Sequence, residues 1–81
     1  MNKYIYTIEG FWREDGGYTE TVCHPHATLK GAREHLKDII KNDKKEKPNE
    51  LREIQQDYYL SYSEFGEDRF ELDIIKHKVL E

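Results

Sequence analysis

The stretch KYIYTIEGFWR, residues 3–13, is rich in β-branched and aromatic residues and predicts a first strand. Side chains of a strand alternate between its two faces. One face therefore receives Tyr4, Tyr6, Ile8 and Trp12, and the other receives Ile5 and Phe11. Residues 14–17, EDGG, provide turn chemistry, because aspartate and glycine tolerate positive φ. Residues 18–23, YTETVC, predict a second strand and hence a hairpin, whose register the sequence leaves open.

A helix is predicted after this hairpin, with Thr28 as its N-cap just behind the helix-averse Pro25. Apolar residues then recur at helical spacing and carry the helix to about residues 42–45. They are Leu29, Ala32, Leu36, Ile39 and Ile40. Beyond Pro48, the spacing of Leu51 and Ile54 predicts a short second helix over residues 50–55.

The C-terminal third returns to strand patterns, over residues 57–64 (DYYLSYSE) and 69–78, with FGED between them as a turn. An odd loop would place Tyr58, Leu60 and Tyr62 on the face that carries Phe70, Leu72 and Ile74. An even loop would exchange the faces, and would set Leu60 and Tyr62 beside Asp73 and Glu71. We favour the odd loop with a glycine bulge, because it gathers the apolar side chains on one face.

The predicted fold class is therefore α+β: a small β-β-α-(short α)-β-β domain. Its four-stranded antiparallel sheet carries one main helix packed on one face. The length of 81 residues indicates a single domain over residues 1–81. The net charge of -4 and an aromatic content of 12% are typical of a folded chain.

Several features of the composition favour the cytoplasm. Cys23 is the only cysteine, so an internal disulfide is excluded and a reducing compartment is expected. The first residues lack the apolar core of a signal peptide. No apolar run approaches the ~20 residues that cross a bilayer, so we expect no membrane association.

Thiolate and imidazole groups occur together in Cys23-His24-Pro25-His26, with His35 on the following helix. These are good zinc ligands, but the usual paired spacings are absent. In a strand, Cys23 and His24 would also point to opposite faces. Nothing supplies the oxyanion hole or third member that a cysteine nucleophile needs. We therefore predict no metal and no cofactor, and a metal or thiol enzyme centred on Cys23, His24 and His26 is the least favoured alternative.

A basic stripe lies along the predicted helix within an arc of about 80° beside the apolar positions. It consists of Lys30, Arg33, Lys37, Lys41 and Lys44. Such a stripe could follow a phosphate backbone, or its lysines could cover apolar surface with their stems. The acidic net charge opposes nucleic acid at long range. A nucleic-acid-binding protein that uses this stripe is therefore the alternative function.

Negative charge predominates in residues 46–81, which contain ten acidic and five basic residues. Glu71 and Asp73 are expected to point away from the core, near Glu67 and Asp68 in the turn. Apolar residues are expected on the same outer face, namely Ile5, Phe11, Tyr59, Phe65 and Ile75. Aromatic side chains beside carboxylates are typical of a recognition surface.

The predicted partner-binding residues are Tyr59, Phe65, Glu67, Asp68, Glu71 and Asp73. The predicted function is a non-enzymatic protein-binding module whose partner has a basic surface. Its most concrete form is a small acidic inhibitor or adaptor, of the phage or mobile-element type by size and charge alone. It would occupy a basic groove of a partner that handles nucleic acid. A homodimer through an edge strand or the aromatic face is left open.

Overall fold

The computed structural model describes residues 3–14, 17, 19–64 and 68–79. Its elements are β1 (Lys3–Arg13), β2 (Thr19–His26), α1 (Leu29–Glu46), β3 (Leu51–Gln55), β4 (Tyr58–Tyr62) and β5 (Arg69–Val79). All pairings in the sheet are antiparallel, in the order β2-β1-β5-β4-β3. The prediction of an α+β domain with one main helix on an antiparallel sheet is confirmed. Across the described ranges, no helix is long and apolar enough to cross a membrane.

The sheet has five strands, so the predictions of four strands and of a second short helix were wrong. Residues 51–55 form β3, which pairs with β4 over its whole length. Five residues are too few to form a stable helix on their own, because helix nucleation is unfavourable. The same residues gain a ladder of backbone hydrogen bonds by pairing with a neighbouring strand, which explains the outcome.

The first hairpin is close to its prediction, but its second strand is longer. β1 begins and ends at the predicted residues, whereas β2 continues beyond Cys23 to His26. β2 is an edge strand that pairs only with β1. An edge position tolerates Pro25, which cannot donate to a ladder.

The helix begins where its cap was predicted. The Thr28 side chain accepts a hydrogen bond from the Gly31 N–H at 3.0 Å, which satisfies one of the free amides of the first turn. At the other end, the Lys47 N–H donates to the Asp43 carbonyl at 2.8 Å. The helix buries Ala32 and Leu36 against the sheet.

The core lies between α1 and one face of the sheet, called here the inner face. Besides the two helix residues, its fully buried members are Ile8, Tyr59 and Leu72. Gly10 lies on the same face, and a Cβ there would come within 1.7 Å of the Glu71 carbonyl oxygen. Glycine at this position therefore lets β1 and β5 approach closely under the helix.

The register of the second hairpin differs from the prediction. Tyr59 pairs with Leu72, and Ser61 pairs with Phe70. Six residues, an even number, separate the paired Tyr62 and Arg69, so the odd loop was wrong. Tyr58, Leu60 and Tyr62 consequently share the other face with Asp73, Glu71 and Arg69. The proposed bulge would fall on Gly66, which lies outside the described residues.

A buried polar network accounts for this register. The Tyr59 hydroxyl donates to Asp43 Oδ2 at 2.5 Å and accepts from Arg52 Nε at 3.0 Å. Arg52 also donates to the carbonyls of Asp43 and Lys47 at the end of α1. Tyr59 can therefore be fully buried with its polar end satisfied, and it ties β3 and β4 to the helix.

Candidate functional site

The sheet face turned away from α1, called here the outer face, is formed by every second residue of the five strands. Three of its rows cross the whole sheet from β2 to β3. They are Thr19, Arg13, Arg69, Tyr62 and Leu51; then Thr21, Phe11, Glu71, Leu60 and Glu53; then Cys23, Glu9, Asp73, Tyr58 and Gln55. Shorter rows follow, with Pro25, Thr7 and Ile75, and with Ile5 and His77.

Two neighbouring rows of this face, those of Glu71 and Asp73, hold four acidic residues and no lysine or arginine. The acidic residues are Glu9, Glu53, Glu71 and Asp73. Burial, together with the charge of Glu71, raises the pKa of Asp73 above its usual value. Glu71 accepts hydrogen bonds from the Tyr58 hydroxyl and from Arg69, both at 3.1 Å. The crowded carboxyl groups are therefore only partly compensated within the chain.

Apolar and aromatic side chains surround these acids. Leu60 lies in the same row as Glu71 and is only 7% exposed, although it faces away from the helix. Tyr58, in the neighbouring row on the same strand, and Phe11, on the other side of Glu71, are half-buried. Ile5, Leu51 and Ile75 are exposed towards the margins. Among the described residues, no helix or strand packs on this face, and its aromatic side chains are of the type enriched in protein interfaces.

Thr7, Glu9 and His77 form a hydrogen-bonded cluster on this face. His77 Nε2 lies 2.9 Å from Thr7 Oγ1 and 2.8 Å from Glu9 Oε2, and the Thr7 hydroxyl also donates to Glu9. Hydrogen bonds from Thr7 and His77 lower the pKa of Glu9. A catalytic triad needs the histidine to contact the nucleophile and the acid through different ring nitrogens. Here Nε2 contacts both, so the cluster does not form that relay.

The six predicted partner-binding residues have different positions. Glu71 and Asp73 point away from the helix, as predicted. Tyr59 was wrongly expected on the outer face; it is 0% exposed beneath α1, because its hydroxyl has buried partners there. Asp68 is half-buried and lines a concave surface near Trp12. Phe65 and Glu67 lie outside the described residues.

Four residues of the basic stripe of α1 are exposed, whereas the fifth, Arg33, is bound to another residue of the chain. The guanidinium of Arg33 forms two hydrogen bonds with the Asp57 carboxylate, at 2.8 and 3.2 Å. This contact lowers the pKa of Asp57 and raises that of Arg33. The other four residues are exposed lysines: Lys30, Lys37, Lys41 and Lys44.

The histidines and the cysteine are divided between the two faces, as the alternation predicted. Cys23 is exposed on the outer face, opposite Glu9. His24 and His26 lie on the inner face beside His35, and His26 Nε2 is 2.8 Å from His35 Nδ1. Burial and the two neighbouring histidines lower the pKa of His35. The described residues include no group of three or more histidine, cysteine or acidic side chains arranged to hold a metal ion.

Sequence reasoning missed Glu9, Thr7, His77 and Tyr58 as neighbours of the predicted acidic pair. The alternation of β1 puts Glu9 on the same face as Phe11, but it does not show that Glu9 lies beside Asp73. The contacts of Thr7, Glu9 and His77 depend on the pairing of β1 with β5, whose residues are far apart in the chain, and that of Tyr58 depends on the register of β4 with β5. Only a prediction of these strand pairings could have identified the neighbours of Glu71 and Asp73.

The chain matches no protein-family model, and no similar protein was found among curated proteins or solved structures. Its function must therefore be inferred from the site itself.

Proposed function

We propose that this protein is a non-enzymatic binding module whose outer face docks onto a basic surface of a partner protein. The observation that carries the proposal is the sheet face opposite α1, which holds four acidic residues in the neighbouring rows of Glu71 and Asp73. In its most concrete form the chain is a small acidic inhibitor or adaptor of the phage or mobile-element type. It occupies the basic groove of a protein that handles nucleic acid.

Electrostatics supports a basic partner. Desolvation and the neighbouring Glu71 raise the pKa of Asp73, so its charged form is less favourable than that of an isolated aspartate. Glu9 lies opposite Asp73 on the neighbouring strand. Lysine or arginine side chains placed over these rows would offset the repulsion and would orient the partner as it approaches.

Packing supports a protein rather than a small anion or cation as the bound species. Ile5, Leu51 and Ile75 are 37–46% exposed on the outer face, and Leu60 and Phe11 flank Glu71 in its row. Burying apolar side chains provides most of the affinity in protein interfaces, whereas the charges set the orientation and the choice of partner. Glu71 and Asp73 are the residues that we expect to contact basic side chains.

The proposal is tested by capturing the partner from nuclease-treated host lysate and then measuring its affinity for charge-reversed variants. Glu71→Lys with Asp73→Lys should weaken binding about tenfold or more. Because Glu71 has partners within the fold, Glu53→Lys with Asp73→Lys, both exposed, is the second variant.

The matched control is Glu34→Lys with Asp38→Lys on the exposed side of α1, which changes the net charge by the same amount. It should leave the affinity for the partner almost unchanged. Equal losses of affinity in the control and the outer-face variants would mean that the effect comes from the net charge of the protein and not from the outer face. Unchanged binding by both outer-face variants would rule the proposed face out.

Nucleic-acid binding by α1 is the second candidate, favoured by the four exposed lysines of its stripe. It predicts a mobility shift at low salt, with an affinity that falls steeply as salt rises. Lys37→Glu should then weaken binding, whereas Arg33→Glu would also break the contact with Asp57. The absence of any shift at low salt would dismiss this candidate.

A further inference from the structure

Two adjoining cavities lie at one end of the sheet, where β1 ends and β5 begins. The larger has a volume of about 270 Å³ and is walled by the rings of Trp12 and Phe70. The smaller, about 260 Å³, shares Trp12 and Lys47 with the first and extends to Asp68. The two cavities therefore meet at one aromatic residue and one lysine.

The ammonium group of Lys47 already lies over both aromatic walls. Its Nζ is 5.3 Å from the ring centroid of Trp12 and 5.9 Å from that of Phe70. It is also 3.8 Å from Asp43 Oδ1. A cation within about 6 Å of an aromatic face is attracted by the ring quadrupole. The chain's own side chain thus shows that this position suits a positive group.

Acidic residues form much of the lining of the two cavities. Five of them contribute to the two linings: Glu14, Glu20, Asp43, Glu46 and Asp68. Within the described part of the chain, Lys47 is the one basic residue that lines either of these cavities. Asp43 is already bound by the Tyr59 hydroxyl and by Lys47, whereas Glu14 and Glu46 are exposed. The exposed carboxylates of the linings favour a further positive charge.

The aromatic walls distinguish between kinds of cation. A divalent metal such as Mg²⁺ needs oxygen ligands around it, and ring carbons provide none. A guanidinium group is planar, stacks on aromatic faces and donates paired hydrogen bonds to carboxylates. Both features of the site, rings and carboxyl groups, match that group.

We infer that these cavities bind an arginine side chain, which stacks on Trp12 and is held by the surrounding acids. That the arginine belongs to a protein partner rests on the proposed function; the preference for a guanidinium does not. Lys47 competes for the aromatic faces and moves aside when the arginine enters.

The test is a titration with N-acetyl-arginine amide against its uncharged counterpart N-acetyl-citrulline amide. Trp12 is the chain's single tryptophan, so its fluorescence and its indole NMR signal report on the site directly. We expect saturable binding of the arginine compound with a Kd on the order of 1 mM, typical of one side chain. The citrulline compound should bind at least about tenfold more weakly, because it lacks the charge.

Two variants sharpen this titration. Lys47→Met keeps the side-chain stem and removes the competing ammonium, so arginine should bind about threefold more tightly, equivalent to one exposed cation–π contact. Glu46→Gln, at an exposed helix position, should weaken binding. The matched control is Lys45→Met, an exposed lysine of the same helix turn, which should leave the titration unchanged.

Equal binding of the two compounds, or no saturation by about 50 mM arginine compound, would overturn the inference. So would weaker arginine binding in Lys47→Met once circular dichroism shows that the variant is folded. These results would leave the outer-face proposal intact, because the titration involves no partner. Loss of the outer-face proposal would likewise leave a guanidinium site that the titration still detects.

Discussion

The two faces of the sheet are built from the same strands, yet their side chains differ strongly in burial. On the inner face, Ile8, Tyr59 and Leu72 are fully buried beneath α1. On the outer face, Ile75 is 40% exposed and Asp73 is exposed beside other carboxyl groups. One helix covers one face, so the alternation of each strand separates residues that hold the fold from residues that are available to a partner.

Polar groups differ between the faces in the same way. The inner-face network around Tyr59 is buried, and its carboxylate, hydroxyl and guanidinium groups satisfy one another. In the outer-face cluster, the side chains of His77 and Glu9 are 46% and 36% exposed. Buried polar groups are costly to leave without partners, whereas exposed ion pairs add little to stability. The inner network therefore serves the fold, and the outer acids can serve recognition at small cost to stability.

The largest expected effect comes from comparing two isoleucines on opposite faces. Ile8→Ala should lower the free energy of unfolding by about 4 kcal/mol, because it leaves a cavity in the core. Ile75→Ala, at a partly exposed position, should cost about 1 kcal/mol or less. Urea denaturation followed by circular dichroism measures both values.

If Ile8→Ala is too unstable to study, Ile8→Val should still cost about 1 kcal/mol. Similar losses for the alanine variants at positions 8 and 75 would mean that the outer face is covered in solution, for example by a second copy of the chain. Sedimentation equilibrium would then reveal the oligomer.

Two neighbouring tyrosines provide a finer comparison. Tyr59→Phe removes a hydroxyl that serves Asp43 and Arg52 in the interior, and it should cost about 2 kcal/mol. Tyr58→Phe removes a half-buried hydroxyl that donates to Glu71, and it should cost about 0.5 kcal/mol. A reversed order of these two values in the same denaturation experiment would contradict the register of β4 in the sheet.

A further comparison concerns the pH dependence of the stability difference between the wild-type chain and Tyr59→Phe. Burial and the hydrogen bond to Asp43 raise the pKa of Tyr59 to about 12, from a usual value of 10.0. Between these values the unfolded chain releases the phenol proton while the folded chain retains it. The contribution of the Tyr59 hydroxyl to the free energy of unfolding is therefore fully present below about pH 10 and is lost as the pH rises towards 12.

The stability gap between the wild-type chain and Tyr59→Phe should accordingly narrow from pH 9 to pH 11.5. Denaturation curves at several pH values measure it, with Tyr58→Phe as the control. A gap that stays constant over this interval would mean that the Tyr59 hydroxyl is not held in the buried network.

Local patterns were enough for part of the architecture. The alternation in residues 3–13 predicted β1 to its terminal residues, and the side chain of Thr28 predicted the start of α1. Both depend on interactions within a few residues: the period of the strand and the capping of a free amide. The outward direction of Glu71 and Asp73 was likewise predicted correctly, which located the acidic centre of the candidate site.

The number of strands and the register of the second hairpin were decided only in the tertiary structure. Tyr58 and Tyr59 are chemically identical, and the sequence around them favours Tyr58, Leu60 and Tyr62 as the apolar face. The partners that bury Tyr59 instead, Asp43 and Arg52, lie 16 and 7 residues away along the chain. Which tyrosine enters the core therefore depends on where the end of α1 and the added strand β3 meet β4. No local period of hydrophobic residues carries that information, because the contacts form only when those three elements pack together.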